Sequence, residues 1–75
     1  MRVASMVVTA SPGGAPALHG KLGALSGVEV VEADGNALAV LLEAETPTAQ
    51  RHMHERISEL AEVESVALVF QSSEV

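Results

Sequence analysis

A chain of 75 residues without a single cysteine can be held neither by disulfides nor by a thiolate metal site, so packing has to stabilise it. Four Lys and Arg against ten Asp and Glu leave a net charge of −6, which repels nucleic-acid phosphates and anionic lipid and attracts cationic partners. The one aromatic residue, Phe70, offers no base-stacking platform, and no run approaches the ~20 apolar residues of a membrane span.

A chain of this length hides only about 60% of the surface that its unfolded form exposes. One domain, residues 1–75, is therefore expected, with nearly all the Val, Leu, Ile, Met and Phe spent on its core. Met1-Arg2 and the apolar residues after it imitate the start of a secretory signal. The run Val3 to Ala10 nevertheless alternates like a strand, half of it is β-branched (Val3, Val7, Val8 and Thr9), and its removal would take a strand from a minimal domain. Ala4, Met6, Val8 and Ala10 form a uniformly apolar face for the core. Ser5, Val7 and Thr9 form a mixed one suited to contact.

Ser11-Pro12-Gly13-Gly14 then makes a turn. Ala15 to Leu25 carries Leu18, Leu22 and Leu25 on one helical face, loosened by Gly20 and Gly23, with Gly27 as a stop. Val28 to Ala33 is a second strand whose alternation leaves its facing open. Asp34-Gly35-Asn36 is a hairpin turn, which pairs that strand with a third, Ala37 to Ala44, apolar on both faces and hence central. Thr46 is placed to cap a second helix with Pro47 at its first position, and Ala49, Met53, Ile57 and Leu60 form its apolar stripe. Val63 to Gln71 is the fourth strand, and the tail from Ser72 to Val75 is expected to fray.

The order is β-α-β-β-α-β, and it repeats itself: Leu25-Ser26-Gly27-Val28-Glu29-Val30-Val31 and Leu60-Ala61-Glu62-Val63-Glu64-Ser65-Val66 share the frame Leu-x-x-Val-Glu-x-Val. Two β-α-β halves with right-handed crossovers predict an α+β fold, the ferredoxin-like split β-α-β sandwich. In it a four-stranded antiparallel sheet carries two helices on one face and leaves the other open. Alternation places Ser5, Val7, Thr9, Ala37, Ala39, Leu41, Glu43, Ser65, Ala67, Val69 and Gln71 on the open face. Strand two adds Glu29 and Val31, or Val30 and Glu32 if its register slips by one. The apolar centre and acidic margin suit an amphipathic segment with positive ends.

Other chemistry finds little footing. The Ser11 to Gly14 turn opens a helix as a phosphate loop would, yet has neither Gly-Lys-Ser/Thr nor G-x-G-x-x-G, and reads as a connection. His52 and His54, two apart on a helix, point roughly 200° away from each other and His19 lies on another helix, so no metal site is expected. They belong on solvated helix surface, with His52 or Glu55 meeting Arg51 or Arg56. No nucleophile and base are paired, and an acylphosphatase of this topology would need an Arg in the loop after strand one. Neither catalysis nor a cofactor is expected.

Several strings in order resemble the NapD family. They are Ser5-Met6-Val7-Val8, Gly27-Val28-Glu29-Val30, Gly35-Asn36-Ala37-Leu38 leading into Ala39-Val40-Leu41-Leu42-Glu43-Ala44, and Val66-Ala67-Leu68-Val69-Phe70-Gln71. The resemblance spans nearly the whole chain and implies a cytoplasmic chaperone, not an enzyme. Such a chaperone binds the twin-arginine signal peptide of NapA, the catalytic subunit of periplasmic nitrate reductase, and holds back export until the molybdenum cofactor is inserted. The resemblance implies a peptide held as a helix on the sheet, with Ser5, Val7, Thr9, Glu29, Val31, Ala39, Leu41, Glu43, Ala67 and Val69 as the contact set. The chain itself would be a monomer or weak dimer.

Two other classes fit the same pattern. Pro12-Gly13 followed by Leu18 is placed as in ACT-like domains that sense small ligands. A plain oligomerisation domain would bury its open sheet against a second copy.

Overall fold

The computed structural model describes residues 2–72, with residues 70–72 described by their backbone alone. Its elements are β1 (Arg2–Ala10), α1 (Ala15–Gly23), β2 (Val28–Asp34), β3 (Ala37–Ala44), α2 (Pro47–Ser58) and β4 (Val63–Ser72). The strands form one antiparallel sheet in the order β2-β3-β1-β4, so β1 and β3 are central as the two-sided apolar patterns required. The fold is the expected α+β sandwich. The expected fraying of residues 73–75 lies outside the described residues.

Alternation in β1 and β3 decides where the core lies. Ala4, Met6, Val8 and Ala10 are buried together with Leu38, Val40 and Leu42, and Leu18 and Leu22 of α1 and Ile57 of α2 close over them. Leu25, Val28, Val30, Met53, Leu60, Val63 and Val66 pack around this cluster. Each fully buried Leu, Ile, Val or Met side chain contributes about 1.5–3 kcal/mol. In a domain this small these residues are therefore committed to stability.

The ends of the helices follow local chemistry. Thr46 Oγ1 accepts a 3.1 Å hydrogen bond from the Ala49 amide, and Pro47, whose missing N–H costs nothing there, opens α2. α1 ends at Gly23, two residues earlier than the leucine spacing predicts. With Gly20 and Gly23 disfavouring helix, the chain tightens: Ala24 donates to Gly20 and Lys21, and Leu25 donates to Leu22. Leu25 still reaches the core. The repeated Leu-x-x-Val frame is a repeat of geometry as well, since Val28 N–H donates to the Leu25 carbonyl and Val63 N–H to that of Leu60.

The β2–β3 turn differs from expectation in one respect. Of its candidates only Gly35 takes a positive φ, +60°, and Asn36 does not. A single positive φ at the first central position is the pattern of a type II′ turn and not of type I′.

Three bulges modify the simple alternation. Between Val30 and Glu32 of β2, Val31 is the extra residue: Val30 stands opposite Val40 and Glu32 opposite Ala39. In β4 the extra residues are Glu64 and Val69, because Thr9 stands opposite Ser65 but Ala10 opposite Val63, and Met6 opposite Leu68 but Ser5 opposite Phe70. A bulge sets two residues against one and returns the strand with its facing shifted.

Candidate functional site

Both helices pack on the face that carries Met6 and Val40, so among the described residues the opposite face of the sheet is left without a covering element. The strand registers arrange it in rows. One row runs Glu29, Leu41, Ser5 and Phe70 across β2, β3, β1 and β4. The next runs Glu32, Ala39, Val7 and Ala67, with Val31 sharing the bulge opposite Ala39, and the third runs Asp34, Ala37, Thr9 and Ser65. Glu43 lies beyond the first row, opposite Val3.

Eight of the ten residues expected on this surface are thus set in adjoining rows, Glu43 extends them along β3, and Val69 is the unpaired residue of a bulge in β4. Ser5, Val7, Thr9, Ala39 and Leu41 form a half-buried floor, whereas Glu29, Glu43 and Ala67 are exposed. Val31 and Val69, both bulge residues, are 55% and 64% exposed. These are large apolar side chains a globular chain normally hides, and each adjoins the floor: Val31 precedes the residue opposite Ala39, and Val69 precedes the residue opposite Ser5.

Two expectations need correction. Strand two contributes neither of the alternating sets as such. It presents Glu29 before the bulge and Glu32 after it, because Val31 absorbs the phase change. Gln71 is not in register with the open face: the Val69 bulge pairs it with Ala4, a core position, and pairs Phe70 with Ser5 instead. The side chains of both lie outside the described residues.

The charges are uneven. Every carboxylate that shares one of the three rows lies on β2, and the rows become uncharged toward β1 and β4, with Glu64 in the bulge beside Ser65 as the exposed carboxylate of β4. Among the described residues none of Glu29, Glu32, Asp34 and Glu43 forms an ion pair within the chain. Their negative charge is therefore uncompensated by a Lys or Arg of the protein and adds to a common field along one edge.

The ion pair of the described residues is elsewhere. Lys21 Nζ donates to both carboxylate oxygens of Glu62 at 2.8 Å, joining α1 to the approach of β4, and this hydrogen bond holds the Glu62 carboxyl below its ordinary pKa. The expected pairing of His52 or Glu55 with Arg51 or Arg56 is absent among the described residues.

The loop after β1 is occupied with its own structure. The amide of Ser11 and its hydroxyl both donate to the Glu62 carbonyl, at 2.8 and 3.3 Å, and the Gly14 amide donates to Ser11. Those N–H groups are not offered to a phosphate. Among the described residues no three His, Asp or Glu side chains are gathered as a metal would need. No helix among them is long and apolar enough to cross a membrane.

A cluster that escaped the sequence reading lies on the helix side. Pro47, Gln50, Arg51 and His54, one face of α2 at spacings of three, four and seven, border a cavity of about 350 Å³ with Arg2, Ala4, Met6, Leu42 and Leu68. Arg51 and His54 are thus not merely solvated helix surface. The helical spacing was visible in the sequence, but the gap between α2 and β4 that makes it a site was not.

The profile of one family, described as NapD protein, matches residues 1–75, the full length of the sequence. The chain belongs to the NapD family. The solution structure of the E. coli Tat proofreading chaperone protein NapD is 30% identical, covers 96% of this chain and 78% of its own, and superposes with a TM-score of 0.86. No curated protein matches. NapD proteins are chaperones, so this chain is a chaperone and not an enzyme.

Proposed function

We propose that this NapD-family chaperone works in the cytoplasm, where it binds the twin-arginine signal peptide of the periplasmic nitrate reductase catalytic subunit, NapA, on its open sheet face and holds back export until cofactor insertion is complete. Ser5, Val7, Thr9, Ala39, Leu41 and Ala67 form the floor, Val31 and Val69 the apolar lips, and Glu29 and Glu43 the acidic margin, to which the bulge adds Glu32.

One observation supports this reading above the others: the rows pass from carboxylates on β2 to uncharged residues on β1 and β4, apolar in the middle row at Val7 and Ala67. A signal peptide has the same polarity, two arginines followed by an apolar run. Strands about 4.8 Å apart put the outer two of four roughly 14 Å from each other, and a helix is about 10–12 Å wide, so the face has room for one helix. Small residues at Ser5, Ala39 and Ala67 let its backbone approach closely. The relative of known structure is a Tat proofreading chaperone, which accords with a cargo of this class.

Arginine, unlike lysine, offers a planar fork that meets a carboxylate through two parallel hydrogen bonds. Calorimetry with a twin-arginine peptide and its twin-lysine counterpart, at low and at high salt, tests the mechanism. The lysine peptide binds more weakly, and salt weakens both. Equal affinities in all four titrations would remove the carboxylates from the account.

A further inference from the structure

We propose that the cavity between α2 and β4, on the opposite side of the sheet from the peptide face, is a second binding site, for a carboxylate carried on an apolar body. The chain has four Lys and Arg in all, against ten acidic residues. Lys21 is held by Glu62. Two of the remaining three, Arg2 and Arg51, border this one cavity together with His54, and among the described residues its lining contains no Asp or Glu. In a protein of net charge −6, a concave site with only cationic and neutral groups selects for an anion.

The site has a prepared donor. Arg2 Nε donates to Gln50 Oε1 at 3.1 Å, a bond between the first strand and the middle of α2, and Gln50 is buried. With Nε engaged, the guanidinium is anchored at the wall of the cavity, where its planar fork suits a carboxylate. The floor is of the other kind: Ala4, Met6 and Leu42 are core residues, and Leu68 at the rim is 54% exposed. A bare anion would leave Leu68 wet, and a neutral apolar molecule would leave the arginines without a counter-charge. A carboxylate with a few aliphatic carbons satisfies both, and a free aliphatic acid and a Glu beside Leu in a protein segment are its two sources.

The test is an NMR titration of the full chain with octanoate, with the peptide acetyl-Leu-Glu-Leu-amide, and with octylammonium as the charge-reversed control. Saturable shifts at Arg2, Gln50, Arg51, His54 and Leu68 with octanoate identify a free acid as sufficient. Tighter binding of the peptide at the same residues identifies a protein segment as the source. Arg51→Gln, which leaves the Arg2–Gln50 bond in place, lowers the affinity about tenfold, the loss expected of one charge-assisted contact. No shift with either acid overturns the proposal, as does an equal response to octylammonium, which would mark a merely greasy groove. Shifts confined to Ser5, Val7 and Leu41 on the opposite face would also overturn it, without touching the assignment of the peptide face.

Discussion

Glu32 stands opposite Ala39, with Val31 inserted ahead of it as the extra residue of a bulge. That single insertion brings a second carboxylate of β2 into line with Glu29 on the peptide face, where unbroken alternation would have sent it to the core side. The strand thereby carries three acids on one face, Glu29 ahead of the bulge and Glu32 and Asp34 after it.

Replacing both with their amides, Glu29→Gln with Glu32→Gln, tests what the arrangement is for. Both residues are exposed, so thermal stability changes by no more than about 0.5 kcal/mol. Affinity for a twin-arginine peptide falls about threefold to tenfold, and the salt dependence of binding flattens, as expected for the loss of exposed ion pairs worth roughly 0.2–1 kcal/mol each. Calorimetry at two salt concentrations reads both effects.

Adjacent positions of β1 separate binding from folding. Met6 is buried in the core, while Val7 lies on the open face between Ala39 and Ala67. Met6→Ala should cost about 2–5 kcal/mol by denaturant unfolding. Val7→Asp should cost about 1 kcal/mol and yet lower peptide affinity more than tenfold, because it puts a charge in the apolar floor.

Much of this was legible in the sequence, for reasons that can be named. Pro47 after Thr46, the leucines of α1, Gly35 in its turn and the strict alternation of β1 are local signals, and each appears in the structure where local chemistry puts it. Bulges are not local signals. Nothing in Val30-Val31-Glu32 or Leu68-Val69-Phe70 says which residue will be skipped, since that depends on the twist and register of the neighbouring strand. The Lys21–Glu62 pair, 41 residues apart, and the meeting of Arg2 with Gln50, 48 apart, depend likewise on how helices settle on the sheet.

Two glycines predict opposite outcomes. Gly20, in the second turn of α1, has nothing within 4 Å of the place a Cβ would occupy, so Gly20→Ala stabilises by about 0.5–1 kcal/mol through helix propensity and a less flexible unfolded chain. Gly27 has φ +79°, and a Cβ there would meet the Glu43 carbonyl oxygen at 2.7 Å and the Met53 methyl at 3.0 Å. Gly27→Ala destabilises by about 2–4 kcal/mol, from left-handed strain together with overpacking. Thermal melts of the two variants should move in opposite directions.

Acid should find Glu62. Its carboxyl is held below the ordinary value of 4.5 by the hydrogen bond from Lys21, so as pH falls the unfolded chain takes up this proton before the folded one does. The stabilisation is fully present above 4.5 and is lost as pH drops through the lowered folded value. Lys21→Met removes it. Denaturation midpoints of wild type and variant should therefore differ at neutral pH and converge in acid, and a constant difference across pH would contradict the assignment.

The central claim is that the cargo peptide lies on the sheet face opposite the helices. An NMR titration of the labelled chain with a twin-arginine signal peptide tests it directly. The account predicts shifts gathered on Ser5, Val7, Thr9, Glu29, Val31, Ala39, Leu41, Glu43, Ala67 and Val69, with α1 and the Ser11–Gly14 turn undisturbed. Shifts confined to that turn, or to the helix side of the sheet, would contradict it.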